Sequence, residues 1–149
     1  MNKIILLFSS GFGTGYIKYA PGTFGTLFGI LLWAFFVPES FPHHLSSVIC
    51  IFALSVFFSS KAEKIYGRKD DQRIVIDEIA GMWVSVAFLP KTILFLSLGF
   101  VLFRFFDIKK PWIINKAQNV KGGLGITADD ILAGVFANAI LQVLHIFIK

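Results

Sequence analysis

The chain has 149 residues, 56% of them hydrophobic and 15% charged, with 18 phenylalanines. That is a length for one domain and a composition too apolar for an ordinary soluble one. The net charge is +5, yet the cations flank apolar runs instead of forming a stripe with interleaved aromatics. This excludes a nucleic-acid interface and fits membrane orientation and anionic headgroups.

Residues 1–8 imitate the start of a signal peptide. Their apolar stretch is too short, and no small-x-small cleavage site precedes Pro21, so they read as part of the mature protein. Residues 11–26 are dense in glycine and carry Thr14, Lys18 and Thr23. Glycine permits positive φ and close backbone approach, and free amides after Pro21 suit an anion, so Lys18, Gly22, Thr23 and Gly25 are candidates for a phosphate cradle. The Gly-Lys-Ser/Thr of a Walker loop is missing. Close packing between membrane helices accounts for the glycines equally well.

Five apolar runs follow, over residues 22–37, 45–59, 79–89, 92–103 and 131–148. A membrane-crossing helix needs about 20 residues. The first, second and fifth approach this with their flanks. The third and fourth are either a crossing pair interrupted by Pro90-Lys91 or a hairpin entering the bilayer partway. Cys50, alone of its kind, excludes an intrachain disulfide and a cysteine-based metal site. Its place in the second run predicts a buried, inert thiol.

The basic residues predict orientation. Lys3 and Lys18 precede the first run. Lys61, Lys64, Arg68, Lys69 and Arg73 fill the second gap, and Arg104, Lys109, Lys110, Lys116 and Lys121 the fourth. The first gap holds Glu39, His43 and His44, and the third only Lys91. Five alternating crossings bring every basic-rich segment to one side, the cytoplasm by the positive-inside rule.

Five of the nine acidic residues, Asp77, Glu78, Asp107, Asp129 and Asp130, lie beside run ends on that same side. An unpaired buried carboxylate costs several kcal/mol, so acids so placed usually hold a cation or a proton. Each has a plainer account. Asp77-Glu78 suits the positive end of a helix macrodipole. Thr127 and Asp130 fit a capping box. Asp107, between Arg104 and Lys109-Lys110, fits a surface ion pair. The functional alternative makes Asp77, Glu78, Asp129 and Asp130 metal ligands, with oxygen-only donors favouring Mg²⁺. Arg104 and Lys110 then neutralise phosphate, and Asp107 completes the metal site or moves a proton. His43, His44 and His145 fall on the opposite side, which speaks against a histidine nucleophile or a zinc site.

Four segments in order resemble the phosphatidylglycerophosphatase A family: 11–25 with Ala20-Pro21-Gly22-Thr23, 75–81 with Asp77-Glu78, 103–111 with Arg104, Asp107 and Lys110, and 122–134 with Asp129-Asp130. The resemblance runs from residue 11 to 134. It implies an all-α fold and an Mg²⁺-dependent phosphatase of the bacterial inner membrane that converts phosphatidylglycerophosphate to phosphatidylglycerol. The expectation is therefore a single domain over residues 1–149. It is a multi-helical integral membrane protein with about four to five apolar helices and a cytoplasm-facing active site. An ion-coupled transporter and a lipid phosphotransferase are the rival classes. Cys-x5-Arg, Asp-x-Asp, the phosphatidic-acid-phosphatase histidines and the Asp-Gly-x2-Ala-Arg pattern are absent, which disfavours the other lipid-phosphate chemistries.

Overall fold

The computed structural model describes residues 2–117, 120 and 122–148. Lys121, counted above among the basic residues, lies outside them. Among the described residues the chain is all helical, with no strand. Seven α-helices run in order: α1 (Asn2–Ser9), α2 (Pro21–Phe36), α3 (Phe41–Tyr66), α4 (Ile76–Val86), α5 (Ile93–Lys109), α6 (Trp112–Ala117) and α7 (Gly123–Ile148). A 3-10 turn, Thr14–Tyr16, links α1 to α2.

Two helices, α3 and α7, are each 26 residues long and apolar enough to cross a membrane. Their most apolar windows are only 17% and 22% buried inside the protein. A core helix of a soluble protein would bury its apolar surface; these helices present theirs outward, as Ile49, Val143, Ile146 and Phe147 do. Cys50 follows the same logic. The expected buried thiol is exposed on α3, because an apolar run facing outward does not bury its side chains in protein.

The short helix α4 is the centre of the bundle, packed on α2, α3, α5 and α7. Its 11 residues rise only about 16 Å. Ile76, Ile79 and Ala80 join one apolar cluster with Ile5, Ile51 and Ile126, and Met82 and Val86 join another with Trp33, Phe103 and Ala137. A helix ending inside a bundle leaves carbonyls that need donors. Here α7 supplies them: Asn138 Nδ2 donates to the carbonyls of Ser85 (3.0 Å) and Ala87 (2.8 Å), and Gln142 Nε2 to Ala87 (3.2 Å). The Phe88 amide donates to His44 Nδ1 of α3 at 2.9 Å. Lys91 donates to the carbonyls of Ala34 and Val37 at the end of α2. His44, Phe88 and His145 thus gather at the far end of α4 from its acids.

One sequence expectation fails at α7. The helix begins at Gly123, not near Ile131. Thr127 therefore caps nothing. It is fully buried, and its hydroxyl pairs with Ser55 of α3 at 2.8 Å. Asp129 and Asp130 sit about two turns inside the helix instead of at its start. The glycines that read as a loop let α7 meet its neighbours: a Cβ on Gly123 would come 2.3 Å from the Val56 carbonyl oxygen.

Candidate active site

Asp77 and Glu78 occupy the first turn of α4. The residue before the helix is Val75, which offers no side-chain cap. Its amide donates to the Ser9 carbonyl at 2.8 Å, so the end of α1 fixes where α4 begins. From that start, α4 runs beside α7 at a close approach made by Gly81 and Gly134. A Cβ on Gly134 would lie 2.3 Å from the Gly81 carbonyl oxygen, and one on Gly81 would lie 2.6 Å from the Asp130 carbonyl oxygen. Small residues on both helices bring the backbones together, and with them the acids.

The product is a cluster. Asp77, Glu78 and Asp130 each offer a carboxylate oxygen, and these oxygens lie within 4.8 Å of one another. Asp77 and Asp130 are buried, about 4% exposed each. Asp77 Oδ1 and Glu78 Oε2 are buried without a hydrogen-bond partner. Carboxylates this close repel one another strongly in a poorly solvated interior unless a proton or a cation lies between them. An all-oxygen donor set with orphaned acceptors fits a hard divalent cation of the Mg²⁺ kind.

Asp129, next in sequence to Asp130, points elsewhere. Neighbours on a helix diverge by about 100°, and Asp129 Oδ2 accepts from Lys110 Nζ at 2.6 Å. Lys110 is the C-cap of α5 in a left-handed conformation (φ 42°). Burial pulls the Lys110 ammonium down, but its hydrogen bond to Asp129 and the charges of Asp129, Asp130 and Asp107 outweigh this and hold it above the usual lysine range. Asp107, read above as a possible surface acid, is buried on α5 at 8% exposure. It accepts from Arg104 NH1 at 2.5 Å, whereas Arg104 Nε is a buried donor without a partner.

The glycine-rich segment meets the cluster at one point. A Cβ on Gly22 would stand 2.3 Å from Glu78 Oε1 and 3.2 Å from Arg104 NH1, so only glycine leaves room for both groups. Pro21 opens α2 as its spacing predicts, and Thr23 and Phe24 donate their amides to the Ala20 carbonyl. Thr23 is half-buried in that first turn. Gly25 lies on Val75, in a packing contact. Lys18 is exposed, its ammonium 5.9 Å from the centre of the Tyr19 ring. Gly11 packs on Val75 as well, Gly15 packs on the Arg73 backbone, and Gly22 is the glycine of the segment that touches the acids.

Asp70 escaped the sequence analysis. It lies in the turn before α4 with φ 51°. Asp70 is exposed to solvent on one side; partial burial still raises its carboxyl, Lys110 opposes this, and Asp129 and Asp107 add to it. The signal was a third adjacent acid pair, Asp70-Asp71, hidden among basic residues that read as a solvated surface.

Fold and site together define an all-helical, outwardly apolar protein whose interior carboxylate cluster stands beside a paired guanidinium at one end of the bundle. The chain belongs to the phosphatidylglycerophosphatase A family, whose model matches residues 7–145. It is 37% identical to the phosphatidylglycerophosphatase A of Escherichia coli K12 over 139 residues, covering 91% of this chain and 80% of that one. It is 35% identical to that of Haemophilus influenzae over 143 residues, covering 92% and 85%. A protein of Bacteroides thetaiotaomicron described as a putative phosphatidylinositol-3-phosphatase is 33% identical over 146 residues, covering 93% and 91%. No solved structure matches the chain.

Proposed function

We propose that the chain is an Mg²⁺-dependent phosphatase that hydrolyses phosphatidylglycerophosphate to phosphatidylglycerol and phosphate at the cytoplasmic face of the bacterial inner membrane. The observation that carries this is the cluster of buried Asp77, half-buried Glu78 and buried Asp130, with Arg104 and Gly22 at its edge. The names of the Escherichia coli and Haemophilus influenzae relatives supply the substrate.

Asp77, Glu78 and Asp130 would hold the cation, which supplies charge neutralisation at the phosphoryl group and acidifies a water. The orphaned Arg104 Nε suits a phosphate oxygen, and Asp107 fixes the guanidinium plane while it does so. Lys110, tied to Asp129, adds positive charge beside the site and orients the second acid of the pair. Water attacks phosphorus in line, the bond from phosphorus to the glycerol ester oxygen breaks, and that oxygen leaves with the proton the water gives up. Asp107 is the acid nearest the guanidinium and our choice for handling that proton.

The membrane reading rests on α3 and α7 as crossings and on the outward apolar faces of α2 and α5, with α4 entering partway. Lys61, Lys64, Arg68, Lys69, Arg73, Arg104, Lys109, Lys110 and Lys116 belong to segments at the acid-bearing end, and Glu39 and Lys91 to the other, a charge asymmetry that supports a cytoplasmic acid end. The Bacteroides relative favours one second reading, a phosphoinositide phosphomonoester as substrate. Purified protein offered phosphatidylglycerophosphate and phosphatidylinositol 3-phosphate separately decides between them. The proposal expects phosphate mainly from the first. Release from the second alone, or transfer to an added alcohol in place of water, would sink it.

A further inference from the structure

A groove of about 460 Å³ runs between α1 and the last turns of α3. Ile4 and Ile5 of α1 and Phe57 and Phe58 of α3 form its apolar walls, and Lys61 and Lys64 line it from α3. It shares no residue with the acid cluster. The two lysines stand one helical turn apart, hence on one face. Both are exposed, and neither is in an ion pair among the described residues. Lys61 Nζ lies 5.9 Å from the centre of the Phe57 ring.

This pairing of surfaces has one matching chemistry. Carbon walls of this size suit a hydrocarbon chain and repel a free phosphate or a nucleotide. Two ammonium groups beside them suit an anionic headgroup. When the apolar part of α3 lies in the bilayer, Lys61 and Lys64 reach the level of the headgroups. We infer that the groove binds an anionic glycerophospholipid of the bilayer, with one acyl chain between α1 and α3 and its phosphate against Lys61 and Lys64. This is a site separate from the reacting one. An occupant there clamps α1 to α3, and α1 ends at Ser9, whose carbonyl holds the Val75 amide two residues before Asp77. The bound lipid therefore steadies the start of α4.

The inference rests on the membrane reading but not on the phosphatase one. Its test is native mass spectrometry of the full chain in neutral detergent, with phosphatidylglycerol or phosphatidylcholine of identical acyl chains. The Asp130→Asn variant runs in parallel, and vesicle flotation is the companion measurement. Phosphatidylglycerol should be retained about 25-fold better than phosphatidylcholine, in Asp130→Asn as in the wild type. The Lys61→Gln/Lys64→Gln variant should lose that preference, at roughly fivefold per lysine, whereas Lys61→Arg/Lys64→Arg keeps it. Equal retention of the two lipids, or an unchanged preference in the glutamine variant, overturns the lipid site while flotation leaves the membrane reading intact. A chain that does not float with vesicles of either lipid overturns both.

Discussion

Gly134 of α7 lies so close to Gly81 of α4 that a methyl group on it would come 2.3 Å from the Gly81 carbonyl oxygen and 3.0 Å from Val84 Cβ. Backbone cannot swing aside as a side-chain tip can. Gly134→Ala should therefore push α4 from α7, costing about 1–3 kcal/mol of stability as overpacking does. The same movement separates Asp130 from Asp77 and Glu78. A melting curve and a phosphate-release assay on one preparation check this. A variant that melts and turns over like the wild type would mean that the helix spacing does not set the cluster.

Gly22 makes the opposite kind of contact. A Cβ there would meet Glu78 Oε1 at 2.3 Å, but that atom ends a rotatable side chain. Gly22→Ala should fold nearly as well as the wild type and displace the Glu78 carboxylate. A misplacement of about 1 Å costs on the order of 100-fold in rate. The expected result is a near-native melting temperature with kcat/KM down by one to two orders of magnitude. A parallel loss of both would assign Gly22 to packing alone.

The far end of α4 tests the interior-ending helix. Asn138 Nδ2 serves the carbonyls of Ser85 and Ala87, and Gln142 shares only the latter. Asn138→Ala strands the Ser85 carbonyl and should cost about 1–3 kcal/mol. Gln142→Ala should cost less, because Asn138 still reaches Ala87. Thermal unfolding of the two variants in one detergent gives the order, and the reverse order would contradict the bonding described.

The loop before α4 carries a pH-dependent element. Asp71 accepts from Arg73 Nε at 2.7 Å and NH2 at 2.9 Å. Those hydrogen bonds outweigh burial and hold its carboxyl below the ordinary aspartate range. A carboxyl with a lowered folded pKa binds fewer protons folded than unfolded as the pH falls, so its stabilisation is present above about pH 3.9 and lost as the pH drops through the folded value. Asp71→Asn should melt below the wild type at pH 7. The gap should close on acidification past the aspartate range. A gap independent of pH would mean that the loop depends on packing instead of charge.

Much of this was legible in the sequence, for physical reasons that differ by residue. Asp77, Glu78 and Asp130 stood out because a carboxylate beside an apolar run has few cheap explanations. The gathering of run ends at one face of a bundle brings distant positions together. The division between Asp129 and Asp130 was not legible, since it depends on the 100° turn between neighbours and on which of them faces α4. The start of α7 was missed because glycines in isolation break helices, whereas against α3 they permit close packing. The third run left open whether it belonged to an interrupted crossing pair or to a hairpin entering partway. Asn138 and Gln142, polar residues inside the fifth run, were the sign that a helix ends beside them. Cys50 was misjudged because an apolar neighbourhood in sequence meant an outward-facing surface.

The central claim is that the carboxylate cluster holds a divalent cation needed to cleave a lipid phosphomonoester. Mg²⁺ titration of phosphate release from phosphatidylglycerophosphate tests it most directly, with wild type, Asp77→Asn and Asp130→Asn purified side by side. The account predicts saturable Mg²⁺ dependence in the wild type, abolition by chelator, and a loss of at least about 100-fold in each variant that added Mg²⁺ does not restore. Full activity in chelator, or wild-type turnover in either variant, would contradict it.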